Sequence, residues 1–343
     1  MTIIDPRPAT QMAREIAEIP EAAARQASKQ GAIAEIAERI RAAKPRLAIF
    51  CGRGSSGHVG VYLRYLLETQ AGLLVSAAAP SIFTAYRRRP DMQDTLFIVI
   101  SQSGRSPDLV MATETARTLG SLTLAIVNDP YSPAALAADM VLPIEAGPEQ
   151  AVAATKTVAL SMTMGARLVA SLTQDMTLSD ALDRFPERAR QALTCDWSAW
   201  SDRLATAPAA FVTGRGYSFG VARELALKMT ETLRLPALGY SAAELRHGPR
   251  AAVTPATPVL VLRQNDEAAS AVDDLVRDLQ DANETVFTAG GPAGNLPWIG
   301  DDHPVCDPVA MLLPGYSAIE AAARQRGLDP DSPPHLSKVT HTL

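Results

Sequence analysis

"FCGRGSSGHVGVYLRYLLET", Phe50–Thr69, and "FVTGRGYSFGVARELALKMTET", Phe211–Thr232, are two versions of one plan within a single chain. Gly52 aligns with Gly214, an offset of 162, and the same offset carries Phe97 onto Val259, so that "FIVISQSGR" falls on "VLVLRQNDE" without a gap. Self-similarity of this kind signals a repeated structural unit. Each copy reads as an apolar run, a glycine turn and then helical spacing, and the first continues through "LLVSAAA", "LFIVI" and "LTLAIVN" with helices between. Apolar strands alternating with helices are the pattern of a parallel sheet covered on both faces. The expected fold class is therefore α/β: two tandem doubly wound, flavodoxin-like domains of three αβα layers, with N-terminal helices and a C-terminal tail. The expected boundaries are N-terminal helices over 1–45, a first domain over 46–175, connecting helices over 176–206 and a second domain with the tail over 207–343.

Bulk properties agree. A chain of 343 residues suits two domains at about 150 residues each, and 47% hydrophobic with 20% charged residues excludes a disordered chain. The net charge of −5 argues against a nucleic-acid partner, and the one basic run, Arg87 to Arg89 beside Pro90, reads as a solvated face. Cys51, Cys195 and Cys306 are too few and too scattered for a disulfide framework, and the apolar runs have strand length, not membrane length. "TVALSMTMGARLVASL", Thr157–Leu172, reads as a core or subunit-interface helix. A cytoplasmic protein without membrane segment, metal site or cofactor is expected; His58, His247, His303, His335 and His341 have no ligand-type spacing.

The differences between the copies carry the chemistry. "GRGSSG", Gly52–Gly57, is formally a GxGxxG, but the second strand ends in "SAAAPS" and lacks the acidic residue that would hold an adenosine ribose. A smaller anion fits better. Ser55, Ser56, Ser101, Gln102, Ser103 and Ser106 follow the first and third strands, where glycines allow close backbone approach and helix N-termini favour negative charge. The competing reading is that these serines only cap helices. In the second copy Arg263, Gln264, Asn265, Asp266 and Glu267 occupy the matching turn, and two carboxylates there would repel a phosphate. The second copy instead bears Glu224, Lys228 and Glu231 at i, i+4 and i+7 on one helix face, where the first copy has Tyr62, Leu66 and Thr69.

Taken with "SQSGRSPD", "AGPEQAVAATK", "ELALKMTE", "AELRHGP" and "LDPDSPPHLSKVTHTL" in this order, the chain resembles the sugar isomerase (SIS) domain family, in particular the isomerase half of glutamine:fructose-6-phosphate amidotransferases and SIS-type glucosamine-6-phosphate deaminases. The resemblance implies that Ser55, Ser56, Ser101, Gln102, Ser103 and Ser106 bind phosphate and that Val152 and Ala154 line the sugar. It implies that Glu231 moves a proton between C1 and C2, with Lys228 and Glu224 beside it, that His247 opens the sugar ring from a neighbouring subunit, and that Lys338 covers the substrate. A homodimer with shared sites would then be the functional unit. Pro334 and His335 depart from the Arg-Asn usual in the synthases, as Ala154 departs from their serine.

The chemistry asks for these groups: one carboxylate can take a proton from one carbon and return it to the next, and a histidine can pass the ring proton. Because Thr2 follows Met1 and no glutaminase segment precedes the repeats, the expected activity is conversion of a hexosamine 6-phosphate such as glucosamine 6-phosphate to a ketose 6-phosphate plus ammonia. The alternatives are an aldose–ketose phosphate isomerase and a sugar-phosphate-binding regulator.

Overall fold

The computed structural model describes residues 8–338; Met1, Thr2 and His341, which entered the sequence argument, lie outside them. Helices α1 (Gln11–Ala17), α2 (Ile19–Gln26) and α3 (Gln30–Ala43) come first. Then β1 (Leu47–Cys51), α4 (Gly54–Gln70), β2 (Val75–Ala77), α5 (Pro80–Thr84), β3 (Thr95–Ser101), α6 (Pro107–Thr118), β4 (Leu122–Val127), α7 (Pro133–Ala137) and β5 (Met140–Pro143) alternate. Helices α8 (Lys156–Thr173), α9 (Met176–Ala192) and α10 (Ser198–Thr206) lead to β6 (Ala210–Gly214), α11 (Tyr217–Leu233), β7 (Ala237–Ser241) and α12 (Ala242–Leu245). The chain continues through β8 (Val259–Leu262), α13 (Ala269–Asp281), β9 (Val286–Ala289) and α14 (Asp307–Gln325).

Both sheets are parallel, ordered β2-β1-β3-β4-β5 and β7-β6-β8-β9, so the fold is α/β with two tandem doubly wound units. The offset of 162 is visible in which way the side chains face. Ala48, Phe50, Ile98 and Ile100 point into one large shared core, and so do Ala210, Val212, Leu260 and Leu262; Phe97 and Val259 point to the outer layers. An offset one residue different would turn every strand inside out. On the helices, Val59, Leu63 and Leu67 of α4 correspond to Val221, Leu225 and Met229 of α11 in the same core.

Small residues set how closely these layers approach. A Cβ on Gly52 would come within 3.1 Å of Ser56, and one on Gly214 within 2.4 Å of Ser218, so both strands enter their helices through the same tight turn. Gly54 and Gly216, again 162 apart, hold left-handed φ values of +51° and +63° that glycine adopts without strain. Between the sheets, α4 crosses α11 at Gly220, where a Cβ would lie 2.8 Å from His58 O and Tyr62 N. The backbones touch there.

Helix α8 is buried from Lys156 to Ala170, which makes the Thr157–Leu172 segment a core helix; its Arg167 pairs with Asp183 at 2.8 Å and donates to Leu182 O. On the outer layer, α13 buries Val272, Leu275, Val276 and Leu279, a single face, at about 1.5–3 kcal/mol per large side chain. No helix among the described residues is long and apolar enough to cross a membrane.

Candidate active site

Strands β1 and β3 are neighbours on either side of the point where strand order reverses, so the loops after them share one crevice. Ser101 ends β3 and accepts the Gly104 N–H at 3.0 Å, which leaves its own O–H to donate elsewhere. Gly104 has φ +62°, and a Cβ on it would strike Ser132. Ser103 accepts the Arg105 N–H at 3.3 Å, while Ser106 stands at the N-cap of α6 without making a side-chain capping bond. Gln102, Ser103 and Ser106 are half-buried, as are Ser55 and Ser56 on the first turn of α4. Arg53 joins the two loops through Asp108 at 2.6 Å. Cys51, below them, is no nucleophile: burial pushes its thiol up to about 12.

In the matching turn of the second unit, side chains bond to one another and to the backbone. Gln264 donates to Arg215 O and to Asp266 Oδ2, each at 2.7 Å, and Arg263 forks onto Asp273 at 3.1 and 2.9 Å.

Helix α11 brings Glu224, Lys228 and Glu231 to the crossing with α4. Glu224 and Lys228 are buried and Glu231 keeps 22% of its side chain exposed. The Lys228 ammonium lies 3.5 Å from Glu224 and makes a short bond to Glu231. Glu224 accepts from Ser55 Oγ at 3.2 Å, from Tyr316 OH at 3.2 Å and from His58 Nδ1 at 3.0 Å. Burial alone would push the Glu224 carboxyl up, but the Lys228 charge and the His58 and Ser55 bonds outweigh it and hold the carboxyl below the usual range. Lys228 mirrors this: burial pulls it down, and Glu224 and Glu231 raise it above its ordinary value. Burial and the Glu224 charge keep the Tyr316 hydroxyl protonated far above its ordinary range.

The loop after β5 carries the remaining candidates. Val152 and Ala154 are half-buried, and the buried Glu149 accepts from Thr155 N, Thr157 N and Thr157 Oγ1 at 3.1, 3.0 and 2.7 Å. Lys338 of the tail docks on it, 2.9 Å from Glu149 Oε2 and 2.6 Å from Ala151 O, while Val152 N donates to Asp331 O. The charge of Glu149 reaches Lys228, which ties this loop electrostatically to α11.

Ser55, Glu224, Lys228 and Glu231 thus form one chain of contacts, and Lys338 bonds separately to Glu149 and Ala151 O. His247 is not among them: it is exposed on the turn after α12, and its side chain takes no part in this network. The sequence reading missed His58, Glu149 and Tyr316. Glu149 lies inside the "AGPEQAVAATK" motif and could have been found there; His58 and Tyr316 carry no spacing signal, since their partner comes from a distant helix.

The SIS domain family matches residues 42–171 and 203–288. The isomerizing glutamine–fructose-6-phosphate aminotransferase of Halobacterium salinarum is 34% identical over 305 residues, covering 83% of this chain and 50% of that protein. Its counterpart in Pseudomonas aeruginosa is 33% identical over 322 residues, covering 86% and 52%. The chain spans about half the length of the curated relatives it matches. Among solved structures, a protein of Silicibacter pomeroyi DSS-3, provisionally named a phosphosugar isomerase, superposes with TM-score 0.90 at 37% identity, covering 94% of this chain and 100% of that one. The glucosamine-6-phosphate deaminase of Thermotoga maritima has TM-score 0.78 at 20% identity, covering 97% and 100%, and speaks to the fold alone. The first matched segment spans the five-stranded sheet and the second runs from α10 into β9, and on this ground the chain belongs to the SIS domain family.

Proposed function

We propose that this chain is an amino-sugar phosphate deaminase/isomerase, which converts a hexosamine 6-phosphate such as glucosamine 6-phosphate to a ketose 6-phosphate and ammonia. The observation that carries the reading is Lys228, buried between Glu224 and the partly exposed Glu231 on a helix that also meets the Ser55 turn. Ser55, Ser56, Ser101, Gln102, Ser103 and Ser106 hold the phosphate, and Val152 and Ala154 flank the sugar. Glu231 takes the C2 proton of the opened aldose and returns it to C1, leaving an imine at C2 that water hydrolyses to the ketone and ammonia. Lys228 and Lys338 stabilise the negative charge that develops on O1. Remote binding of the phosphate positions the carbon chain for this transfer.

The preference for an amino sugar has an electrostatic basis. Glu231 is the partly exposed carboxylate of the group, and an ammonium at C2 would be attracted to it where a hydroxyl would not. His247, exposed in the single chain, opens the ring only if a second copy brings it to the site, so the reading entails a homodimer with shared sites. The curated relatives are named for fructose 6-phosphate and for isomerisation, in keeping with C1/C2 chemistry. The test is free ammonia and ketose measured together from pure protein and a panel of hexosamine 6-phosphates. Ketose from glucose 6-phosphate with no ammonia from any amino sugar would move the assignment to an aldose–ketose isomerase. Binding without turnover would favour a regulator.

A further inference from the structure

We propose that His58 is a positioning residue for the proton-transfer carboxylate, acting on Glu231 through Glu224 and Lys228. The inference rests on Glu231 being the base. His58 lies one turn beyond Ser55 on α4, and the two bond different oxygens of Glu224 across the crossing with α11. The crossing is fixed by backbone contact: His58 aligns with Gly220 under the repeat offset, and the glycine lets His58 O and Tyr62 N approach α11 closely.

The two carboxylate oxygens are served unequally. Oε1 accepts from Ser55 and Tyr316 and faces Lys228 at 3.5 Å, whereas Oε2 has His58 Nδ1 at 3.0 Å as its one partner among the described residues. An ionised carboxylate only accepts, so the proton of this bond belongs to Nδ1. Without that donor a fully buried, charged oxygen is left unpaired. Glu224 can then recover a partner only by rotating toward Lys228 or by taking a proton. Either event changes how Lys228 divides itself between Glu224 and Glu231, and with it the orientation and basicity of Glu231. Tyr316 is the lesser support, because Oε1 keeps two other partners when it is removed.

The decisive comparison is His58→Leu against His58→Asn, whose amide nitrogen can replace Nδ1 as donor. Wild-type exchange of the C1 proton of fructose 6-phosphate with deuterium oxide is measured first. His58→Leu is expected to lose about tenfold to a hundredfold in the exchange rate at saturation, the range of a charge-assisted hydrogen bond, with KM changed less than about threefold. His58→Asn should recover most of the rate, and Tyr316→Phe should lose less than His58→Leu. Equal losses in the Leu and Asn variants, or a loss confined to KM, would overturn the inference. If wild type exchanges no sugar phosphate, the proton-transfer reading itself fails. A urea cycle on His58→Leu and Glu224→Gln then still reads the contact, and additive effects would overturn it.

Discussion

Lys228→Met probes the most concentrated electrostatics in the molecule. The ammonium is 1% exposed, and Glu224, at 3.5 Å, is 0% exposed. At an effective dielectric near 20 their attraction is about 5 kcal/mol, set against the cost of taking both ions out of water. The pair therefore adds little net stability, but removing one member leaves the other charge buried. Breaking such a pair costs about 3–5 kcal/mol. The lower end is expected here, because Glu224 retains the His58, Ser55 and Tyr316 donors. Glu224→Gln should likewise destabilise by stranding Lys228, although Glu231 still faces the ammonium. The double variant removes both charges and should cost less than the sum of the singles by about 2 kcal/mol or more. Urea unfolding of the four proteins, followed by midpoint and slope, reads this directly. Effects that add to within about 0.5 kcal/mol would refute the buried pair.

Other consequences follow from named contacts. Gly220→Ala should push α4 from α11 and destabilise by about 1–3 kcal/mol, because its Cβ meets His58 O and Tyr62 N; an unchanged urea midpoint would contradict the close crossing. Ser101→Ala combined with Ser103→Ala should weaken hexose 6-phosphate binding in calorimetry while the fold persists, with the melting temperature lowered because the buried Gly104 N–H loses its acceptor, whereas unchanged affinity would remove the phosphate cradle. The Glu224 carboxyl is held below 4.5 and Lys228 above 10.5, so the pair's contribution is complete between those values. It is lost as pH falls through the depressed carboxyl value or rises through the raised ammonium value. The stability difference between wild type and the Glu224→Gln/Lys228→Met double variant should accordingly stay level from about pH 8 to 9, and a slope across that range would count against the assignment.

The repeat was legible because the side chains of a strand alternate with period two: one offset, 162, places Ala48 with Ala210 and Ile98 with Leu260 in the shared core. The asymmetry was legible for a related reason. Once the copies were aligned, Glu224, Lys228 and Glu231 stood where packing residues belong, and Arg263 and Asn265 stood where Ser101 and Ser103 belong, with Asp266 and Glu267 beside them. What the sequence hides is the crossing of α4 with α11. His58, Ser55 and Tyr316 meet Glu224 only because three distant segments converge, and no spacing along the chain records that. Glu149 shows the same limit: its value as a dock for Lys338 depends on a tail that returns to the loop after β5.

The central claim is that Glu231 carries a proton between C1 and C2 of a phosphorylated sugar held by the first unit's serines. The most direct measurement is proton NMR of pure wild type and Glu231→Gln incubated with fructose 6-phosphate in deuterium oxide, with binding of the same ligand followed in parallel. Loss of the C1 proton signal in wild type, with no loss in Glu231→Gln at full occupancy, is the predicted result; exchange at the wild-type rate in Glu231→Gln would contradict it.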